Sequence, residues 1–249
     1  MNPHITDAQD LERQRIIATK ILTKLNAVKI TGRVALAIEM IATRLIHTGN
    51  SLSLLYNNSS MADFRFDAAS LLRTAYDAML QGLYIMKEPQ DREERAGLFL
   101  DFIYVEKVEW FKLYDGNPTD LAKFVSQSPK RRDAEPEIRK RFDEVKDQFM
   151  TKKGKLQENW YPGKPYDLAK ETGYESEYKL MQKILSGVVH STPRTLQEGP
   201  WMSEYMLLSW YWQFTFRILG AYADFKGIEL NEDEKESIAD AQENALNFH

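Results

Sequence analysis

The chain has no cysteine among its 249 residues, and it has only four histidines. The absence of cysteine excludes disulfides, thiolate metal sites and cysteine nucleophiles, and it is typical of proteins in the reducing cytosol. A cytoplasmic location is expected, since the first residues also lack the charged and apolar regions of a signal peptide. His4 and His249 are at the termini, so His47 and His190 remain for acid–base chemistry at neutral pH.

Motifs that bind phosphate, dinucleotide or metal are also missing. The sequence contains no Walker loop, no dinucleotide fingerprint, no His-Glu-x-x-His, no Gly-x-Ser-x-Gly and no paired Glu-x-x-His helices. We therefore expect no metal and no cofactor. The segment 205–225 is the one candidate for a membrane span, but it contains Gln213, Arg217 and Asp224. It predicts a buried core helix, and no membrane partner is expected.

The apolar residues recur with a period near 3.6, and no run alternates as a half-buried strand does. The sequence predicts an all-α, bundle-like single domain over 1–249. Its core is expected at about 6–115 and 174–226, with a charged insert at about 117–170 that ends in a long connection, and an acidic C-terminal helix at about 232–246. Helices are expected at about 7–28, 34–56, 62–86, 91–114, 121–125, 135–150, 174–191, 202–226 and 232–246.

Charge is distributed unevenly along a chain whose net charge is −4. Residues 130–155 hold ten basic and six acidic residues, a net charge of +4, whereas residues 224–249 have a net charge of −6. The basic segment is a solvated helix face, a contact for an acidic tail of this or a neighbouring chain, or a nucleic-acid surface. In the nucleic-acid interpretation the binding residues are Lys130, Arg131, Arg132, Arg139, Lys140 and Arg141.

A charged pair inside an apolar helix is the most informative feature of the sequence. Arg73 and Asp77 are four residues apart, so they share one helix stripe with Leu80 and Tyr84. A neighbouring seam is apolar and contains Leu72, Tyr76, Met79, Leu83 and Met86. Because buried charges are costly unless they are satisfied, this pair is the primary candidate for a site.

Further polar residues are predicted to join the pair. Arg95 opens the next helix and either lines the same pocket or forms a salt bridge with a nearby acid. Arg217 either supplies a partner for Asp77 or extends its stem along the aromatic surface around it. Tyr84 completes the predicted lining on the stripe of the pair.

The two internal histidines, His190 and His47, are interpreted differently. His190 precedes a helix-stopping proline and has Ser186 one turn before it, so it is either an acid–base group or a last-turn histidine satisfied by carbonyls. His47 is interpreted as part of a solvated polar turn.

The order of these motifs resembles a family of uncharacterised bacterial helical proteins, one of the numbered domains of unknown function. The resemblance covers about 35–220. It implies an all-helical fold with an inward arginine–acid pair and a histidine from a later helix, and it implies no activity. Glutamate is usual in that family where this chain has Asp77, whose side chain is one methylene shorter. The motifs that carry the resemblance are Leu71-Leu72-Arg73-x3-Asp77, Tyr84-Ile85, Arg95-Ala96, Phe99, Tyr104, Trp160, Tyr178 and Ser186-x3-His190.

A more distant likeness is to helical ribonucleases of the HEPN type, in which an arginine precedes a histidine by four to six residues. This chain departs from that motif, because Arg44 precedes His47 by three residues and Lys183 occupies the basic position before His190.

Two functions follow as hypotheses. The first is a non-catalytic or ligand-sensing helical protein of a bacterial defence or stress module. In it, Arg73, Asp77 and His190 form a buried polar network that either only fixes the bundle or also receives a small anionic ligand. The alternative is a metal-independent ribonuclease with His190 as general acid/base and Arg73 stabilising phosphate charge. A homodimer is a further expectation.

Overall fold

The computed structural model describes residues 7–57, 64–115, 117–189 and 202–243. Within those residues the chain is helical and has no strand, so the all-α prediction is confirmed. The helices are α1 (Asp7–Ala27), α2 (Arg33–Asn57), α3 (Arg65–Met86), α4 (Arg92–Asp115), α5 (Asp120–Ser126), α6 (Pro129–Val145), α7 (Pro165–Glu171), α8 (Glu175–Val189), α9 (Glu204–Lys226) and α10 (Glu232–Glu243). They form two compact units, residues 1–92 with 165–249, and residues 93–164. A single folding domain stays a prediction.

Helix α9 is the central element of the first unit, where it contacts α1, α2, α3 and α10. It runs antiparallel to α2, because the Tyr211 hydroxyl donates to the Leu45 carbonyl (2.9 Å) and the Tyr222 hydroxyl to the Ala35 carbonyl (3.3 Å). Trp212 in the same helix is fully buried. The segment 205–225 is thus a core helix, as predicted, and no helix in the described ranges is long and apolar enough to cross a membrane.

Two glycines allow α9 to approach its neighbours closely. A Cβ atom on Gly49 of α2 would lie 2.6 Å from the Trp212 ring, and one on Gly82 of α3 would lie 2.5 Å from the Ile218 Cδ1 atom. Both distances are shorter than van der Waals contact, so larger residues there would separate the helices.

The acidic C-terminal helix packs on α1 and α9. Its first turn is closed by a reciprocal cap, in which Asn231 N–H donates to Glu234 and Glu234 N–H donates to the Asn231 side chain. Glu234 is 2% exposed and also accepts from Lys24 of α1 at 2.6 Å. Part of the acidic charge is therefore neutralised within the first unit.

The second unit contains α4, α5 and α6. Val108 and Phe111 of α4 are buried with Ile138 of α6, and Tyr104 and Phe142 pack against them. The short helix predicted at 121–125 is present as α5.

One expectation about this region was wrong. Helix α6 begins at Pro129 rather than near 135, because proline is well placed in a first helical turn and Pro136 is accommodated inside the helix. The long connection predicted over 151–166 is present to residue 164, and helix α7, which was not predicted, begins at Pro165.

Candidate functional site

Helix α3 places the predicted pair on a half-buried face of the first unit. The Arg73 Nη2 and Asp77 Oδ1 atoms are 3.1 Å apart, and the side chains are 16% and 39% exposed. Although Asp77 is partly accessible, its Oδ1 atom is buried, as is Arg73 Nη1, and neither atom has a hydrogen-bond partner. The contact is therefore an ion pair without good hydrogen-bond geometry.

Aromatic residues hold this pair in place from two helices. The Arg73 guanidinium lies over the ring of Tyr178 in α8, with its Cζ atom 5.2 Å from the centroid. Tyr76 of α3 is fully buried between the rings of Tyr178 and Phe214, and its hydroxyl donates to the Tyr174 carbonyl at 3.2 Å. Arg73 consequently has its guanidinium over an aromatic ring and a buried Nη1 atom without a hydrogen bond.

A second ion pair, between α8 and α9, is almost completely buried. Arg217 and Glu177 are 2% and 4% exposed. Arg217 Nη1 donates to both carboxylate oxygens of Glu177 at 2.9 and 3.2 Å, and its Nε donates to the Ala241 carbonyl of α10 at 2.8 Å. The guanidinium also lies near the Tyr174 and Phe214 rings, at 5.0 and 5.3 Å from their centroids.

Burial is the largest cause of the pKa shifts of Asp77 and Glu177, the acids of the two pairs. Desolvation raises the pKa of Asp77, and the positive charge of Arg73 opposes part of this rise. Desolvation likewise raises the pKa of Glu177 against the opposing effect of Arg217. The phenol pKa values of Tyr76 and Tyr174 are raised mainly by burial, so both phenols are neutral donors at pH 7.

The structure corrects the prediction for Arg217. It neither pairs with Asp77 nor extends to solvent, because Glu177 supplies a buried carboxylate on the facing helix. Tyr84 is half-buried two turns after Asp77 on α3, as the stripe predicts. Arg95 belongs to the second unit. Its predicted role in the pocket of Arg73 stays a prediction.

The candidate acid–base residue cannot be placed. His190 lies outside the described residues. Ser186 lies in α8, but its side chain is also outside what is described. His47 is exposed on α2, in agreement with a solvated position.

Three of the six predicted nucleic-acid-binding residues form ion pairs with acids of the second unit. Arg131 contacts Asp115 at 2.6 Å and Glu135 at 3.1 Å, and Arg139 also pairs with Glu135. Arg141 pairs with Glu144 at 2.6 Å. The predicted binding residues that stay exposed and form no ion pair in the described part of the chain are Lys130, Arg132 and Lys140.

Sequence reasoning missed Glu177 as a site residue. It shares a buried face with Tyr178, Met181 and Leu185, and an acid at that spacing was a detectable signal. Within the described ranges, no group of three or more His, Asp or Glu residues has an arrangement that could hold a metal ion.

The fold and the two ion pairs define an all-helical protein whose first unit has one ion pair buried in an apolar core and a second, partly exposed one. A family model matches residues 37–199, and the chain belongs to that family, the family of unknown function DUF5677. The matched range includes Arg73, Asp77 and Glu177, whereas Arg217 lies beyond it. No curated protein and no solved structure matches the chain. The predicted resemblance to a family of unknown function is confirmed, and the HEPN likeness stays a prediction.

Proposed function

We propose that the first unit binds a small anionic ligand at Arg73 and Asp77 and acts as a ligand sensor. The observation that carries the proposal is the buried Arg73 Nη1, which has no acceptor although the rest of the guanidinium is packed. A buried donor left unsatisfied is costly, so an anionic oxygen bound there gains a charge-assisted hydrogen bond.

The neighbouring acid restricts the class of ligand. Asp77 Oδ1 is buried, lies 3.1 Å from Arg73 Nη2 and has no hydrogen bond, so it can accept one from a donor on the same ligand. A phosphate monoester with a hydroxyl, or a carboxylate with an adjacent hydroxyl or ammonium, presents both groups. Arg217 is a poor candidate for the same role, since its Nη1 and Nε atoms donate to Glu177 and to the Ala241 carbonyl and its side chain is almost completely buried.

Sensing requires that the ligand change how helices are held together. Arg73 and Asp77 lie on α3, and the ring under Arg73 belongs to Tyr178 of α8. An anion at Arg73 strengthens this junction, because it reduces the cost of keeping the guanidinium buried. A role in a defence or stress module remains part of this proposal.

The test is a calorimetric titration with inorganic phosphate and, separately, with acetate. We expect saturable binding of at least one anion to the wild-type chain and no binding to Arg73→Met. Arg15→Met is the matched control, since Arg15 forms an intrahelical ion pair with Glu12 in α1 and has no buried free donor. Equal binding by Arg73→Met, or no binding of either anion to the wild type, contradicts the proposal.

A metal-independent ribonuclease is the second candidate, and the unused Arg73 donor favours it because an RNA phosphate is also an acceptor. Total RNA incubated with the protein and EDTA, beside a His190→Ala control, tests it. Cleavage that His190→Ala abolishes supports a nuclease. Equal cleavage by both proteins, or none by either, eliminates it.

A further inference from the structure

Three helices of the first unit, α1, α9 and α10, line a cavity of about 250 Å³. Neither Arg73 nor Asp77 is among its lining residues, so it is separate from the site described above. Eight of its eleven lining residues are polar or charged, although the stripes by which packed helices face each other are usually apolar. We propose that this α1–α9–α10 cavity binds a small alkyl diamine in its doubly protonated form.

The polar wall of the cavity follows from helical spacing. Asp10 and Gln14 of α1 are four residues apart, and so are Ser209 and Gln213 of α9, so each pair faces the cavity from successive turns. All four side chains are half-buried. Ser209 and Gln213 form no side-chain hydrogen bond within the described part of the chain, so their polar groups are available to a ligand.

Asp10 gives this wall a carboxylate with one oxygen available. Its Oδ2 atom accepts hydrogen bonds from Gln14 Nε2 at 2.7 Å and from the Tyr205 hydroxyl at 3.0 Å, and both bonds leave Oδ1 unused. Burial and the bond to Asp10 raise the pKa of Tyr205 to about 12, so its hydroxyl is a neutral donor at pH 7. An ammonium group at Oδ1 would form a charge-assisted hydrogen bond and leave the two existing bonds intact.

The charges of the lining select a cation. Asp10, Glu236 and Asp240 contribute three negative charges and Arg13 one positive charge, which gives a net charge of −2. Arg13 lies 3.7 Å from Glu236, so these two charges offset each other. Asp10 inside the cavity and Asp240 at its exposed rim are left without a cationic partner in the described residues. Two unmatched carboxylates at different depths suit a ligand with an ammonium group at each end.

The remaining lining suits the short alkyl chain of such a ligand. Ile17 and Phe216 are 7% and 2% exposed, and they give the cavity an apolar surface on which methylene groups pack. The cavity is smaller than the about 300–1,000 Å³ of sites for drug-sized molecules, so its ligand is small. An anion would be repelled by the net charge, and a wholly apolar ligand would leave the polar wall unpaired.

Calorimetric titration of the full chain with putrescine, a four-carbon diamine, tests the proposal, with sodium chloride holding the ionic strength constant. We expect saturable binding with a Kd below ~1 mM. Asp10→Asn retains an acceptor for Tyr205 but removes the charge, so it is expected to weaken binding at least ~10-fold. Asp67→Asn is the matched control, because Asp67 is also an acid in the first turn of its helix but does not line the cavity.

A second variant provides an independent measurement. Gln213→Leu is similar in size and removes the carboxamide, so it is expected to weaken binding several-fold. Circular dichroism checks that both variants retain their helices. Arg73→Met is expected to bind putrescine as the wild type does, which distinguishes this cavity from the proposed anion site. No saturable binding to the wild type, or wild-type affinity in either Asp10→Asn or Gln213→Leu, overturns the proposal.

Discussion

Two arginine–acid pairs of the first unit, Arg217–Glu177 and Arg73–Asp77, differ in how completely their polar atoms are hydrogen-bonded. Arg217 and Glu177 are buried. Arg217 donates from Nη1 to the Glu177 carboxylate and from Nε to the Ala241 carbonyl. Arg73 and Asp77 are partly exposed, and each has a buried polar atom without a hydrogen bond. We call the first pair closed and the second open, and it is the open pair to which we assign the proposed ligand.

This difference distinguishes the structural role of the Arg217–Glu177 pair from the binding role that we propose for the Arg73–Asp77 pair. The closed pair joins α8, α9 and α10 through one guanidinium, so its removal disrupts three helices. The open pair lies within one helix and is supported by a tyrosine ring from another. The proposal of a site at the open pair therefore depends on its buried atoms without hydrogen bonds, and not on burial alone.

The largest expected effect is that of Arg217→Met. Loss of the guanidinium leaves the Glu177 carboxylate buried without its charge partner, which typically costs about 3–5 kcal/mol in the free energy of unfolding. Urea unfolding followed by circular dichroism measures the change. Arg15→Met serves as the control and is expected to remain within about 0.5 kcal/mol of wild type. A loss for Arg217→Met no larger than that would show that the closed pair is not architectural.

Replacing both members of the closed pair is expected to recover much of that stability. In Arg217→Met with Glu177→Leu no charge is left buried, and apolar replacements of buried ion pairs are often close to neutral. We expect the double variant to lie within about 2 kcal/mol of wild type, with the remaining loss arising from the unpaired Ala241 carbonyl. A double variant as unstable as Arg217→Met would contradict this explanation.

The open pair is expected to contribute much less to stability. An i,i+4 ion pair that is partly exposed contributes about 0.3–0.5 kcal/mol, so Arg73→Met should cost less than about 1 kcal/mol in the free energy of unfolding. The same urea experiment measures it. A loss comparable to that of Arg217→Met would remove the distinction between the two pairs.

The smallest effect concerns pH. Because burial raises the pKa of Asp77, the native state keeps its proton at pH values where the unfolded chain has released it. The contribution of this group to stability is therefore greatest at low pH and falls as pH rises from the ordinary aspartate value through the raised one. Asp77→Asn lacks this titration, so its stability relative to wild type should rise over that window.

Urea unfolding of wild type and Asp77→Asn across pH 4–8 measures the difference, in which the contribution of Glu177 cancels. A difference that is independent of pH, or that falls with rising pH, would show that Asp77 has no raised pKa in the native state.

How far the sequence predicts the structure depends on whether a feature is local. Helical periodicity identified α1 to α4 and α9 to within a few residues, and the i,i+4 spacing identified the Arg73–Asp77 contact. The periodicity and the i,i+4 contact both depend only on residues within one helix. The start of α6 was predicted about six residues too late, since the helix begins at Pro129 and continues through Pro136.

The partner of Arg217 could not be predicted from patterns within one helix. Glu177 is 40 residues away in the chain, and its pairing depends on how α8 packs against α9. The sequence indicated that Arg217 was buried, but only the tertiary arrangement selects Glu177 over Asp77. The absence of a partner atom, as at Arg73 Nη1, is likewise a property of packing that no spacing predicts.

The most direct test of the account is the phosphate-induced shift in melting temperature, measured in parallel for three proteins. Wild type and Arg217→Met with Glu177→Leu are predicted to show equal stabilisation by phosphate, since neither change touches the open pair, while Arg73→Met is predicted to show none. Stabilisation that persists in Arg73→Met, or that disappears only when the closed pair is replaced, would contradict the assignment of binding to Arg73 and Asp77.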